Sequence, residues 1–205
     1  MDISITAANA AHLSYAETIC QMMKTAAEVR GTGIAERDPA YIKAKMEQGN
    51  AIIAFAGETV VGFCYIETWS HRKYVANSGL IVHPDYRKTG LAKKIKARVF
   101  KLSREKYPNA KIFGITTGLA VMKINSAMGY KPVTFSELTT DDEFWEGCKG
   151  CRNYDILTRT DHQFCLCTAM LYDPGQETEE TEKSASKKTE DTSGWTRLKQ
   201  FLKTS

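Results

Sequence analysis

The chain has 205 residues, of which 42% are apolar and 25% are charged, so it can form an ordinary α/β domain with its own core. Its net charge of +4 is too small to indicate a nucleic-acid-binding protein by itself. No apolar run is long enough to span a bilayer, and residues 1–5 lack the basic start and apolar run of a signal peptide. We therefore expect a cytoplasmic protein that contacts neither membrane nor nucleic acid.

The hydrophobic pattern predicts that strands and helices alternate over the first 174 residues. Asp38-Pro39 is typical of a helix start, and Gly57-Glu58 between two apolar runs is typical of a tight hairpin. The predicted strands are 2–7, 51–56, 60–68, 74–82, 111–116, 130–135 and 163–171. The predicted helices are 11–29, 38–48, 90–107 and 119–128, with one helical turn over 141–145.

The predicted helix 90–107 is amphipathic. Its inner face carries the apolar residues Leu91, Ile95, Val99 and Leu102. Its outer face, which we expect to contact solvent, carries Lys93, Lys94, Lys96, Arg98, Lys101 and Arg104. A basic helix of this kind leaves a nucleic-acid-binding module as an alternative, but the absence of interleaved aromatic residues argues against it.

A change of composition after Pro174 predicts the end of the domain. Residues 176–193 contain no apolar residue except Ala185, so we expect a disordered polar linker over 175–193. Trp195, Leu198, Phe201 and Leu202 then recur at helical spacing, which predicts a short tail helix over 194–205. The predicted domain is therefore 1–174, with a cysteine-containing extension over 136–174.

The segment Val82–Ala92 (Val-His-Pro-Asp-Tyr-Arg-Lys-Thr-Gly-Leu-Ala) joins a predicted strand to a predicted helix. Pro84 ends the strand, and Gly90 and Ala92 leave room for a ligand close to the backbone. Unpaired backbone N–H groups and the positive end of a helix dipole meet here, which is typical of a phosphate site. The segment contains neither a P-loop nor a dinucleotide-binding glycine pattern.

This Arg-x-x-Gly-x-Ala pattern, after a strand and Val-x-Pro, resembles the acyl-CoA-binding signature of the GNAT (GCN5-related) N-acyltransferases. A second segment, 120–133, and the order of elements are also similar to that family. The resemblance implies an α/β (α+β) GNAT fold, with six to seven strands in a mixed sheet flanked by about four helices. The sheet should splay between strands 74–82 and 111–116.

The resemblance also implies that an acyl-CoA donates its acyl group directly to an amine in a ternary complex. The backbone of Leu80, Ile81 and Val82 would pair with the pantetheine arm. The pyrophosphate would be held by the turn and the helix start, namely by Arg87, Lys88, Thr89, Gly90, Leu91 and Ala92. For Lys88, a solvated turn lysine is an equal alternative.

The proton transfers are less well defined by the sequence. Many family members carry a tyrosine that protonates the leaving thiolate, and Asn125 stands at that position here. Asparagine is no acid, but it can hydrogen-bond the sulfur, and a thiol with a pKa of about 8.5 leaves readily as thiolate. Glu67 is the candidate general base, with His71, His83, a relayed water or a surface role for Glu67 as alternatives.

The loop 30–37 contains the candidate acceptor-binding residues, Arg30 and Arg37, because guanidinium groups pair well with carboxylates. Arg72 and Lys73 could add positive charge at the same mouth, and an incidentally charged loop is the alternative. The sequence Arg-Gly-Thr-Gly-Ile-Ala-x-Arg and the cysteine-bearing end also resemble short GNAT proteins of bacterial arginine biosynthesis. That narrower resemblance implies glutamate as the acceptor and either acetyl-CoA or succinyl-CoA as the donor.

Four of the six cysteines form two close pairs, Cys148-x-x-Cys151 and Cys165-x-Cys167. Four thiolates can hold a tetrahedral structural zinc, while four free thiols or a redox pair are the alternatives. Other open alternatives are a GNAT enzyme for a polyamine, an antibiotic or a protein lysine, and a non-catalytic CoA sensor. A homodimer is also compatible with the sequence.

Overall fold

Seven strands form one mixed sheet in a computed structural model that describes residues 2–33 and 36–176. The strands are β1 (Ile3–Ala7), β2 (Ala51–Ala56), β3 (Thr59–Trp69), β4 (Tyr74–Val82), β5 (Lys111–Thr116), β6 (Lys131–Val133) and β7 (Thr168–Tyr172). Their order across the sheet is β1-β2-β3-β4-β5-β7-β6. Every neighbouring pair is antiparallel except β4 and β5, which are parallel.

Six α-helices are described with this sheet: α1 (Ala16–Arg30), α2 (Pro39–Glu47), α3 (Leu91–Lys106), α4 (Leu119–Ser126), α5 (Asp142–Glu146) and α6 (Tyr154–Arg159). The Asp38 side chain accepts a 2.8 Å hydrogen bond from the Ala40 amide, so α2 begins as predicted. Gly57 has a φ of 61° in the turn between β2 and β3, as the predicted hairpin requires.

The two faces of the sheet are covered by different helices, and β2 shows why. All six residues of β2 are buried, and alternate side chains point to opposite faces. Ile52 and Ala54 pack with Ile95 of α3, whereas Ile53 and Phe55 pack in the cluster that contains α1 and α2. A strand buried on both faces explains the continuous apolar run in the sequence.

A third apolar cluster joins the sheet to the segment between β6 and β7. Phe113 of β5 packs there with Trp145 and Leu157 of the short helices α5 and α6. Phe135 stacks on Trp145 with 5.6 Å between the ring centroids. The extension therefore shares a core with β5 and β7 of the sheet.

The predicted GNAT fold class is confirmed by this mixed, helix-flanked sheet. The predicted splay is present in the β4–β5 ladder, which contains only three residue pairs and ends at Ala76 and Phe113. The ends of several elements differ from the prediction. The first helix is preceded by a 3₁₀ turn over Ala10–Tyr15, and β6 is limited to three residues.

The predicted strand 163–171 is wrong over its first five residues, because β7 begins at Thr168. Asp161 and His162 both have positive φ values, and the Thr160 hydroxyl donates a hydrogen bond to the Phe164 carbonyl. This turn uses backbone groups that a strand would need, and Phe164 is left exposed.

The chain divides after Tyr172, and residues from 173 onward form a second unit of which only 173–176 are described. The predicted tail helix 194–205 lies outside the described residues, as does the linker 175–193 apart from Gly175 and Gln176. Within the described ranges, no helix is long and apolar enough to cross a membrane.

Candidate active site

A cleft of about 770 Å³ opens where β4 and β5 separate. One wall is the β4 segment 76–81, and the opposite wall is the β5 segment 113–116. The last pair in the β4–β5 ladder is Ala76 with Phe113. From residue 77 onward, the edge of β4 beside the cleft is therefore not paired with β5. An extended ligand can pair with such an edge through its own amide groups.

A β-bulge in β4 lies in the middle of this wall. Phe63 pairs with Ile81 and Tyr65 with Ser78, so Cys64 alone opposes both Gly79 and Leu80. Gly79 has a φ of 65°, and a Cβ there would overlap the Tyr65 ring. Bulges redirect backbone groups, and this one lies beside the point where β4 and β5 separate.

The predicted donor residues fall into two groups. Leu80 and Ile81 line the cleft, and Val82 is buried at the end of β4. The turn that follows, Arg87–Gly90, is exposed and leads to the buried Leu91 and the half-buried Ala92 at the start of α3.

The turn before α3 is held by its own hydrogen bonds. Arg87 Nε donates to the Val82 carbonyl at 3.2 Å, and the Thr89 hydroxyl donates to the Tyr86 carbonyl at 2.7 Å. Lys88 and Gly90 both have positive φ, at 63° and 83°. Gly90 is the N-cap of α3 and makes no side-chain cap, so the first helical amides are available to an anion.

The other end of the cleft is lined by polar side chains from α2 and β3. The Tyr41 hydroxyl donates a hydrogen bond to Glu67, and Lys45 Nζ lies 3.4 Å from the same carboxylate oxygen. The side chains of Lys45 and Glu67 are only 16% and 12% exposed. Arg37 Nε donates to the Tyr65 hydroxyl at 3.1 Å. The predicted base Glu67 and the predicted substrate ligand Arg37 therefore lie in one polar cluster.

Trp69, the last residue of β3, also lines this end of the cleft. Its indole Nε1 is buried without a hydrogen-bond partner among the described residues, and the residue lines the cleft. Phe144 of α5 packs edge-on against the Trp69 ring, with 5.5 Å between the centroids. An unpartnered buried donor beside a cleft is available to a ligand acceptor group.

The sequence interpretation missed Tyr41, Lys45, Tyr65 and Trp69. The strand and helix repeats in the sequence could have indicated these residues. Tyr65, Glu67 and Trp69 alternate along β3 and so share a face of the sheet. Tyr41 and Lys45 are four residues apart on α2 and so share a face of the helix.

Arg30 and Arg37 are not equivalent in the structure, although both line the cleft. Arg30 lies at the end of α1, near Arg87 of the turn before α3. Burial first, and then the like charge of Arg87, lowers the pKa of Arg30. Arg37 is half-buried against Tyr65 instead.

Asn125, the residue at the position of the family tyrosine, is 1% exposed on α4 and lines the cleft. Its Oδ1 atom has no hydrogen-bond partner among the residues described. A Cβ built on Gly114 would lie 4.0 Å from Asn125 Nδ2, which places the amide beside β5 at the splay.

The solvated position predicted for Lys96 is wrong. Lys96 is 2% exposed, lines the cleft, and donates a 3.0 Å hydrogen bond from Nζ to Asn77 Oδ1. The helix turns by 100° per residue, so the residue after Ile95 lies at the border of the buried stripe. Its long side chain reaches from there toward Asn77 on β4.

The four predicted metal ligands Cys148, Cys151, Cys165 and Cys167 line one small cavity. All four are free thiols. Burial raises the pKa of Cys148 to about 11, and the neighbouring Cys151 and Cys165 add to the rise. Over the described ranges, no group of three or more His, Cys, Asp or Glu side chains is placed to hold a metal ion. The zinc therefore stays a prediction.

A mixed sheet that splays between an uncapped helix N-terminus and a cluster of titratable side chains is the architecture of an acyl-CoA-dependent N-acyltransferase. Residues 19–120 match the acetyltransferase (GNAT) family. Together with the fold, this match identifies the chain as a member of the GNAT superfamily. No protein with a curated description matches the chain.

Solved structures with the same fold have low sequence identity to this chain. It is similar to yncA of Salmonella typhimurium, solved with its cofactor acetyl-CoA (TM-score 0.59, 14% identity, 85% of this chain and 95% of that one). It is also similar to the ribosomal-protein-S18-alanine N-acetyltransferase of Escherichia coli (TM-score 0.53, 11% identity, 84% and 94%).

A third similar structure is N-acetylglutamate synthase of Neisseria gonorrhoeae, complexed with coenzyme A and N-acetyl-glutamate (TM-score 0.58, 13% identity). The match covers 84% of this chain but only 35% of the synthase, so this chain spans about a third of the synthase's length.

Proposed function

We propose that this enzyme transfers an acetyl or succinyl group from acyl-CoA to the amine of a small acidic amino acid, with glutamate as the acceptor. The observation that carries the proposal is the polar cluster at the acceptor end. Arg37 and Lys45 supply two positive charges there, and Glu67 supplies one negative charge. Three more acidic residues line the same cleft, namely Glu36, Asp38 and Glu143. The proposal therefore rests on the Arg37 guanidinium, which can pair with a carboxylate of the acceptor, and not on the net charge of the cleft.

The same cluster disfavours a cationic acceptor. A polyamine or a protein lysine would bring further positive charge to Arg37 and Lys45, and Glu67 is already paired with Lys45. The carboxylates of glutamate would instead meet the Arg37 guanidinium and the free Nε1 donor of Trp69. Acceptor selection therefore combines attraction of an acid with repulsion of a base.

The reaction joins the two ends of the cleft. The acceptor amine attacks the thioester carbonyl, a C–N bond forms, the C–S bond breaks, and its electron pair leaves on sulfur. Glu67 takes the proton from the amine, and we assign the backbone amides of the β4 bulge at Gly79 and Leu80 as donors to the developing oxyanion. The Asn125 amide hydrogen-bonds the sulfur.

The donor is held by backbone more than by side chains. The free edge of β4 at Leu80–Val82 pairs with the pantetheine arm, and the Arg87–Ala92 segment binds the pyrophosphate. We assign Arg30 to this donor end, because two arginines close enough to repel each other are stabilised by an anion between them. Arg37 then remains as the acceptor ligand of the predicted pair.

The test is thiol release from acetyl-CoA and from succinyl-CoA against glutamate, aspartate, glutamine, a polyamine and a lysine peptide. We expect glutamate to give the highest kcat/KM, and one of the two donors to be preferred. Turnover of the polyamine or the lysine peptide without turnover of glutamate would contradict the proposal. CoA binding with no thiol release to any acceptor would favour the non-catalytic sensor.

The structural zinc stays a prediction. It is supported by the four thiols around one cavity, where Cys148 and Cys167 each interact with the other cysteines. Metal analysis of protein purified without chelator should find about one zinc per chain, lost when Cys148 and Cys151 are both replaced by serine. Protein that is folded and active with less than about a tenth of that zinc would contradict the prediction.

A further inference from the structure

Lys96 is a buried cation at the cleft. Its Nζ atom makes a 3.0 Å hydrogen bond to Asn77 Oδ1 and lies 4.9 Å from the centre of the Tyr130 ring. Among the described residues, no carboxylate forms an ion pair with it. A buried ammonium without an anion is costly, so its retention beside a cleft indicates a functional role.

The surrounding polar groups hold Lys96 in place without neutralising it. Asn77 Oδ1 also accepts a 3.0 Å hydrogen bond from the Tyr130 hydroxyl. Asn77 Nδ2 donates to the Ser103 hydroxyl at 2.9 Å, and that hydroxyl donates to the Val99 carbonyl at 2.8 Å. One hydrogen of the ammonium is used by Asn77, which leaves the others for a group in the cleft.

This network lies where β4 and β5 part. Asn77 is the first β4 residue beyond the last ladder pair. A Cβ built on Gly114 would lie 3.5 Å from the Asn77 carbonyl oxygen and 4.0 Å from Asn125 Nδ2. Lys96, Asn77 and Asn125 therefore approach the same part of the splay, which receives the thioester in the proposed function.

We propose that Lys96 is the proton donor to the leaving CoA thiolate, a role that Asn125 cannot fill. As the C–S bond of the tetrahedral intermediate breaks, the electron pair moves to sulfur and an N–H proton of Lys96 moves with it. The products are the amide, CoA thiol and a neutral Lys96, which recovers a proton from solvent. This inference rests on the proposed function, because it places the thioester at the splay.

The acidity of Lys96 suits this role. Burial lowers the pKa of Lys96 to about 8, and an ordinary thiol has a pKa of about 8.5, so proton transfer between them is nearly balanced. The titratable groups that face it stay neutral in this range. Burial raises the pKa of the Cys64 thiol to about 11 and that of the Tyr130 phenol well above its ordinary value.

The first test follows the thiol of bound CoA by the ultraviolet absorbance of its thiolate, with desulfo-CoA as the blank ligand. In the wild type the pKa of the bound thiol should lie at least about one unit below its value in Lys96→Met, because the neighbouring ammonium offsets the cost of a buried thiolate. Lys96→Met should restore or exceed the ordinary value, and Lys93→Met, an exposed substitution on the same helix, should behave as wild type.

This titration distinguishes failure of the Lys96 role from failure of the proposed function. Equal thiol pKa values in the wild type and in Lys96→Met, with CoA bound to both, would overturn the role of Lys96 and leave the proposed function intact. Failure of the wild type to bind CoA would overturn the proposed function itself. If Lys96→Met does not fold, Lys96→Gln is measured in its place.

The second test is kinetic. With saturating acceptor, wild-type kcat should fall above pH 8 as Lys96 loses its proton, and Lys96→Met should lose this limb together with about 100-fold in kcat. The loss should be equal for acetyl-CoA and succinyl-CoA. A loss confined to succinyl-CoA would overturn the proposal, because Lys96 would then bind the acyl carboxylate.

Discussion

The donor end and the acceptor end of the cleft are built in different ways. The donor end is one continuous segment, in which the edge of β4 leads through the Arg87–Gly90 turn into α3. The acceptor end combines Arg37 from a loop, Tyr41 and Lys45 from α2, and Glu67 from β3. A ligand shared by many enzymes can be held by backbone, whereas a particular acceptor needs particular side chains.

The largest effect is expected at the acceptor end, from Glu67→Gln. Loss of the base should lower kcat by about 10²–10⁴-fold, with little change in the KM for acyl-CoA. Steady-state kinetics with glutamate would measure it, and Glu47→Gln, an exposed substitution on α2, is the matched control. If Glu67→Gln kept more than a third of the wild-type kcat, a relayed water would be the base instead.

A smaller effect, expected from Arg37→Gln, distinguishes the acceptor end of the cleft from the donor end. Arg37→Gln should raise the KM for glutamate by about 10–100-fold, because a charge-assisted hydrogen bond is lost, while the KM for acyl-CoA stays within about twofold. Arg98→Gln, an exposed change on α3, should alter neither value. A parallel rise in both KM values would show that the two ends are not independent.

The converse change is Arg87→Glu at the donor end. Reversal of charge beside the phosphate turn should raise the KM for acyl-CoA by about tenfold and leave the KM for glutamate unchanged. Raised salt should weaken acyl-CoA binding to the wild type more than to the variant. An unchanged KM for acyl-CoA would remove this turn from the donor site.

The smallest expected effect is on stability, at Lys96 between the two ends. Because the folded pKa is about 8 and the ordinary value is 10.5, the unfolded chain binds more protons between these limits, and burial of Lys96 costs less as the pH rises. Between pH 7 and 9 the free energy of unfolding of the wild type should therefore gain about 1 kcal/mol relative to Lys96→Met. Urea denaturation at both pH values measures it. A constant difference would contradict the lowered pKa.

The same contrast explains what could be predicted from the sequence. The fold class and the donor turn depend on local patterns, such as the strand, Pro84, Gly90 and the helix that follows. The acceptor cluster was missed except for Arg37 and Glu67, because it depends on which loop, helix and strand meet. Periodicity alone cannot say how close Tyr41 comes to Glu67.

Two errors have the same origin. Lys96 lies next to a predicted inner residue, and only the β4–β5 splay makes a place for a buried ammonium there. Residues 164–167 are an apolar run of the kind found in strands, but the turn at Asp161 and His162 takes their backbone out of the sheet. In both cases the tertiary surroundings outweigh a local pattern.

Recognition of an acidic acceptor is tested most directly by the kcat/KM ratio of glutamate to glutamine, measured by thiol release from the preferred acyl-CoA. The two acceptors have similar shape and differ in one charge. We predict a ratio of about 100 or more, because the amide removes a charge-assisted interaction with the Arg37 guanidinium. A ratio near one, or a preference for glutamine, would contradict the account.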